Sequence, residues 1–200
     1  MVILASESPR RRELMTRIAA DFLAVAADVD ETIAPGTHPE QAVKDLALRK
    51  AMALRPDYPD TAIIGADTVV ALDDVILGKP RDTAHAGEML RALSGRRHLV
   101  YTGVAIVKHN KVINYAVSTA VWFRPLDEAE ITAYVDSGEP MDKAGAYGIQ
   151  GKGGLFVSKI EGDYYNVVGF PICAIAQSLK ELDETDSPNA ASTGQNRDSD

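Results

Sequence analysis

Residues 98–108 read HLVYTGVAIVK and residues 112–124 read VINYAVSTAVWFR, with only His109-Asn110-Lys111 between them. Both runs are rich in β-branched and aromatic residues, which fit a pleated, half-buried surface. A polar link this short cannot hold a crossover, so the two runs form an antiparallel hairpin. Upstream, Ala62–Leu72 (AIIGADTVVAL) is another long strand; Asp73-Asp74 turns, and Val75–Leu77 returns. Helical patterns alternate with these strands. Val2–Ala5 is a short buried strand, and Ser8-Pro9 opens a helix because Ser caps and Pro fits the first turn. Phe22–Ala26 is the next strand. His38-Pro39 starts a helix running to about Leu54, with Ala42, Val43, Leu46 and Ala47 on one face. Asp82 caps a third helix that ends at Ser94-Gly95, and Asp127 with Glu130 opens a fourth through Val135. A strand near Leu155–Ile160 and a helix from about Pro171 to Leu182 complete the order. Long hairpin strands flanked by helices predict an α/β fold on a mixed sheet rather than a purely parallel one.

The composition bounds what such a fold can do. With 46% hydrophobic and 25% charged residues in 200, the chain is globular, which excludes fibrous and wholly disordered classes. One domain is expected over 1–182. Residues 183–200 (DETDSPNAASTGQNRDSD) lack large apolar side chains beyond that point and are expected to be a disordered acidic tail. A lone cysteine, Cys173, excludes an intrachain disulfide and a cysteine cluster and suits a reducing compartment. No apolar run approaches the roughly 20 residues needed to span a bilayer. The N-terminal MVILASESPRRR puts apolar residues before charge, the reverse of a signal peptide, so no membrane partner is expected. The net charge of −8 disfavours a nucleic-acid polymer. Against that background, Arg10, Arg11, Arg12 and Arg17 outweigh Glu7 and Glu13 and make a local basic spot.

Four stretches could carry chemistry. In Ala5-Ser6-Glu7-Ser8-Pro9-Arg10-Arg11-Arg12 a strand gives way to a helix start, where free N–H groups, hydroxyls and guanidinium forks favour an anion. The same residues also suit an ordinary capped helix with a solvated basic turn. Three consecutive arginines cannot face one way, and Arg12 is the expected bystander. In Gly65-Ala66-Asp67-Thr68, Asp67 lies within an apolar strand, where a carboxylate is costly unless paired or metal-bound. It suits a general base or a metal ligand, or else a structural ion pair. Lys50, in Arg49-Lys50-Ala51, and Lys79, in Leu77-Gly78-Lys79-Pro80, gain meaning only by converging with these sites; singly, each reads as a solvated lysine. Residues 145–154 hold five glycines, which allow close backbone approach to a ligand or simply make a flexible loop. Gln150 there offers both a donor and an acceptor for a base edge. No P-loop, dinucleotide fingerprint or serine-hydrolase elbow occurs, and the four histidines are too dispersed for a metal pair.

Taken together, ASESPRRREL (5–14), VDE (29–31), LALRKA (46–51), IIGADTVV (63–70), LGKPRD (77–82), SGEPMDKAGAYGIQGKGG (137–154) and VVGFP (167–171) resemble the Maf family of nucleoside triphosphate pyrophosphatases, in order and spacing, over about Val2 to Leu179. The resemblance implies an inosine triphosphatase-like α/β fold: an elongated twisted sheet with flanking helices and a deep central cleft. It implies hydrolysis of a nucleoside triphosphate to the monophosphate and pyrophosphate in the cytoplasm, by a homodimer using a divalent cation, Mg²⁺ or Mn²⁺. On this resemblance Asp67 is the proton acceptor for the attacking water, and Ser6, Arg10, Arg11, Lys50 and Lys79 hold the triphosphate. Glu31 and Asp67 are the metal ligands, so two roles draw on the Asp67 carboxylate. Arg10, Thr68 and Gln150 match the dTTP/UTP type of the family rather than the 7-methyl-GTP type, and 5-substituted pyrimidines would also fit. A nucleotide-sensing or septum-inhibiting binding protein with little turnover is the alternative from a different class, and a phosphatase releasing orthophosphate stepwise is a third reading.

Overall fold

The computed structural model describes residues 1–186. In chain order the elements are β1 (Val2–Ala5), α1 (Pro9–Met15), β2 (Phe22–Val25), α2 (Pro39–Leu54), β3 (Ala62–Leu72), β4 (Val75–Leu77), α3 (Thr83–Leu93), β5 (Arg97–Lys108), β6 (Lys111–Phe123), α4 (Glu128–Asp136), β7 (Val157–Glu161), α5 (Tyr164–Val168) and α6 (Ile172–Asp186). Three short 3₁₀ turns, at Glu139–Asp142, Ala144–Ala146 and Lys152–Phe156, fill the glycine-rich stretch between α4 and β7. Helix α6 continues past Leu182 through Asp186, and the rest of the expected acidic tail lies outside the described residues.

The sheet is mixed, with order β2-β1-β3-β5-β6-β7 and β4 on β3. β1 runs parallel to β2 and β3, and the other pairings are antiparallel. The β5–β6 ladder pairs Arg97 with Trp122 at one end and Lys108 with Lys111 at the other, so the turn is His109-Asn110 alone. The β3–β4 turn puts both Asp73 and Asp74 at positive φ, 49° and 63°, the backbone that matches strand twist in a two-residue hairpin. The helix caps follow the sequence: the Ser8, His38, Asp82 and Asp127 side chains each accept a backbone N–H at a helix start, and Asp127 with Glu130 completes a capping box.

α2 covers one face of the sheet. There Ile3, Ala5, Ile63, Ala105 and Val107 meet Ala47, Ala51 and Leu54, and farther along Val69, Ala71 and Tyr101 meet Val43. On the other face two clusters divide the length of β3. Ile64 and Ala66 pack with Leu14, Phe170 and Ile175, whereas Val70 and Leu72 pack with Leu90, Leu93, Tyr134, Tyr147 and Phe156. The seam between these two clusters falls at Thr68, whereas Asp67 points to the α2 face, between the two clusters there.

Candidate active site

β1 pairs with β3 from Ala62 to Gly65, and β4 pairs with the same edge from Val70 to Leu72. Between them, Ala66–Val69 has no strand neighbour on that edge among the described residues, although β5 pairs the opposite edge throughout. The interrupted edge opens into a cleft of about 680 Å³, within the size range of small-molecule sites. A buried carbonyl left by the gap still needs a donor. Arg11 supplies one at Ala66 and ties the gap to its surroundings: Nη1 donates to Ala66 O (2.8 Å), Nε to Gly169 O (2.9 Å) and Nη2 to Thr68 Oγ1 (3.0 Å). Burial works against the Arg11 charge, and nearby Asp67 supports it.

The Thr68 hydroxyl is committed as well. Thr102 Oγ1 donates to Asn166 O at 2.9 Å, so its single proton is spent there. The 3.0 Å contact between the two threonines therefore has Thr68 as donor. The chain runs from Arg11 through Thr68 and Thr102 to the carbonyl of Asn166, which is itself fully buried.

The centre of the cleft is an ion triad. Lys50 Nζ lies 2.6 Å from Asp67 Oδ1 and 2.7 Å from Glu31 Oε1. Lys50 is 7% exposed, yet two glycines let it reach the sheet. A Cβ on Gly65 would meet Ala47 O at 2.1 Å, and one on Gly103 would meet Val43 O at 2.1 Å. Gly103 is the β5 partner of Asp67, so α2 descends onto the strand pair where the carboxylate stands. The Lys50 hydrogen bond holds the Glu31 carboxyl below its usual range, and the charges of Lys50, Lys79 and Arg11 act in the same direction. Arg49 Nη1 donates to the carbonyls of Asp30 and Thr32, gripping the loop on both sides of Glu31.

The structure gathers most of the residues singled out from sequence. Arg10, Arg11, Glu31, Lys50, Asp67, Thr68, Lys79 and Gln150 all line this cleft. Ser6 does not: it is 8% exposed, and its Oγ accepts the Ser8 N–H. The serine that lines the cleft is Ser8, the α1 cap. Arg11 and Lys50, expected on a triphosphate, are each already partnered by protein, Arg11 at the strand gap and Lys50 between two carboxylates. Sequence reasoning missed Glu139, Asp142 and Lys143, which line the cleft, and Thr102 and Asn166 behind it. The available signal was membership of the 137–154 stretch for the first three and of a buried strand for Thr102, whereas Asn166 lies on the five-residue α5, which shows no period.

A divalent cation fits the donor set. Two carboxylate oxygens already converge on one point, which the Lys50 ammonium holds. No group of three or more His, Cys, Asp or Glu side chains suited to a metal occurs among the described residues. Two carboxylates, with phosphate oxygens and water completing the shell, are the usual manner in which Mg²⁺ is held.

Comparison with known proteins agrees with this geometry. The chain is 50% identical over 182 residues to a dTTP/UTP pyrophosphatase of Bacillus mycoides, covering 91% of this chain and 95% of that protein. It is 49% identical over 181 residues to a protein of the same name from Bacillus cytotoxicus, covering 90% and 95%. Among solved structures, the Ham1 protein of Staphylococcus aureus aligns with a TM-score of 0.54 at 13% identity, covering 90% of this chain and 98% of that one. This likeness shows the inosine triphosphatase-like α/β fold expected from sequence. Residues 1–182 match the family described as Maf-like protein, and the chain belongs to the Maf family.

Proposed function

We propose that this chain hydrolyses dTTP and UTP to the nucleoside monophosphate and pyrophosphate, with Asp67 accepting the proton of the attacking water. One observation carries the reading: Asp67, 14% exposed, faces the cleft at the gap in the sheet, beside Arg10, Lys50 and Lys79. The names of the Bacillus relatives support the reaction and its pyrimidine substrates. The cleft lining carries five cationic side chains against four carboxylates, a slight positive excess within a chain of net charge −8.

In the proposed reaction the water oxygen bonds to the α-phosphorus as the bond to the α–β bridging oxygen breaks. The electron pair of that bond leaves with pyrophosphate, and the water proton passes to Asp67. In the structure Asp67 Oδ1 is engaged by the Lys50 ammonium at 2.6 Å. A triphosphate competes for the Lys50 ammonium, and drawing it away frees the carboxylate. Glu31 and Asp67 would hold Mg²⁺ or Mn²⁺, which when bound offsets phosphate charge. Gln150 reads the O4 and N3–H edge of uracil or thymine, and Thr68 acts on selectivity through Arg11, since its hydroxyl is already engaged. The family resemblance adds the expectation of a cytoplasmic homodimer; no helix among the described residues is long and apolar enough to cross a membrane.

The test is Asp67→Asn. Pyrophosphate release from UTP should fall by about 10²–10⁴-fold, the usual worth of general-base catalysis, while UTP binding persists. Near-normal turnover in this variant would remove Asp67 from the mechanism. UTP binding without product in the unaltered protein would make it a nucleotide sensor instead.

A further inference from the structure

The glycine-rich loop that carries Gln150 has few side chains of its own to hold it, yet it is wound around one carboxylate. Glu139 Oε1 accepts the Tyr134 hydroxyl (3.0 Å) and the Gly153 N–H (3.3 Å), and Oε2 accepts the Lys152 N–H (3.0 Å). The Tyr134 oxygen in turn accepts the Gly148 N–H (3.2 Å). Three loop amides thus end on Glu139, directly or through one hydroxyl, and they bracket Gln150 on both sides. The wrapping is tight: a Cβ on Gly151 would stand 2.2 Å from Glu139 Oε1. Glu139 itself is anchored, because Lys143 Nζ donates to its carbonyl at 2.6 Å. Burial alone would raise the Glu139 carboxyl, but the Lys152 and Gly153 amides and the Tyr134 hydroxyl outweigh it and hold the group below its usual range.

We propose that Glu139 is a positioning residue for base recognition: it fixes the 148–153 backbone so that Gln150 meets the pyrimidine edge, without contacting the base itself. This rests on the reading of Gln150 as the base contact given above. A charged acceptor of three donors is costly to replace, since the partly buried Tyr134 hydroxyl and Gly153 amide would lose their bond, whereas the exposed Lys152 amide can turn to water. Its loss should be felt in selectivity rather than in the chemistry at Asp67, which stands on a different element.

The experiment compares the full chain with Glu139→Gln and Glu139→Ala in two readouts. The first is amide hydrogen exchange. In Glu139→Ala the amides of Gly148, Lys152 and Gly153 should exchange about tenfold faster or more, while those of α2 and β3 keep their protection. The second is kcat and KM for UTP and for CTP, which differs at the edge Gln150 would read. KM for UTP should rise about tenfold with kcat nearly kept, and the UTP/CTP ratio of kcat/KM should fall, less steeply in Glu139→Gln. Unchanged exchange at the three amides overturns the positioning role. A fall in kcat alone, or equal losses on UTP and CTP, overturns the link to selectivity. If the unaltered protein releases no pyrophosphate from UTP, the proposed function fails and the selectivity half with it, whereas the exchange readout still decides what holds the loop.

Discussion

Arg10 and Arg11 are neighbours in sequence with opposite duties. Arg11 spends three N–H groups on Ala66 O, Gly169 O and Thr68 Oγ1, whereas Arg10 stands in the cleft lining and donates no protein hydrogen bond among those described. Arg11→Lys keeps the charge but loses the fork, leaving at least one buried carbonyl without a donor. It should destabilise the fold by about 1–3 kcal/mol, read as a lower urea midpoint; an unchanged midpoint would show that the β3 gap needs no bolt. The sequence made both arginines look like phosphate ligands, because the missing strand on the β3 edge is a tertiary fact that no local pattern contains. Ser6 and Ser8 confuse in the same way, since either hydroxyl could lie beside the helix start and only the path of the turn decides between them. That Gln150 would lie on the cleft was legible from its place in the glycine-rich stretch, and its amide offers both a donor and an acceptor. Gln150→Glu should therefore weaken UTP and dTTP turnover selectively in a nucleotide panel, and equal losses on every base would deny it the reading role.

At the scale of elements, the central device is the close seating of α2 on β3 and β5 through Gly65 and Gly103. Gly103→Ala puts a methyl group 2.1 Å from the Val43 carbonyl, a contact with backbone that no side-chain rotation relieves. α2 must lift, and Lys50 lifts with it. The expected outcome is a loss of about 1–3 kcal/mol in urea unfolding, together with a fall in turnover of about tenfold or more, because small misplacements of catalytic groups are costly. Normal stability and rate would show that the helix does not need this seat to present Lys50. The long elements were legible because each carried its own signals. Val75–Leu77 returned after a two-residue turn, Pro39 sat just inside α2, and Asp127 and Glu130 formed their box. Helix α5 was not: Tyr164–Val168 spans too few residues to show a period, although Asp163 caps it and Gly169 closes it at a φ of 108°. The glycine-rich segment reads from sequence as a loop, but no local pattern singles out its anchor, Glu139.

At the scale of the molecule, two packed clusters meet at the seam where Thr68 stands, with Asp67 on the opposite, α2 face of the same strand, so the cleft depends on both walls. One wall includes Tyr147, whose hydroxyl lies 2.8 Å from Nε2 of His98. Burial pulls His98 from 6.5 down to about 4, so the folded state keeps it neutral where the unfolded chain would protonate it. No penalty exists above pH 6.5, and stability is lost as pH falls from about 6.5 to 4, by at most about 3 kcal/mol at 1.36 kcal/mol per pH unit. Thermal melts at pH 7.5 and pH 5 should show a smaller drop in His98→Gln than in the unaltered protein; equal drops would place the acid sensitivity elsewhere. The claim on which the cleft, the triad and the loop all converge is attack by water at the α-phosphorus. Hydrolysis of UTP in ¹⁸O-labelled water, with the products read by mass spectrometry, tests it most directly. The expected result is one label in the phosphate of UMP and none in pyrophosphate. Label in pyrophosphate, or orthophosphate appearing with UDP, would contradict it.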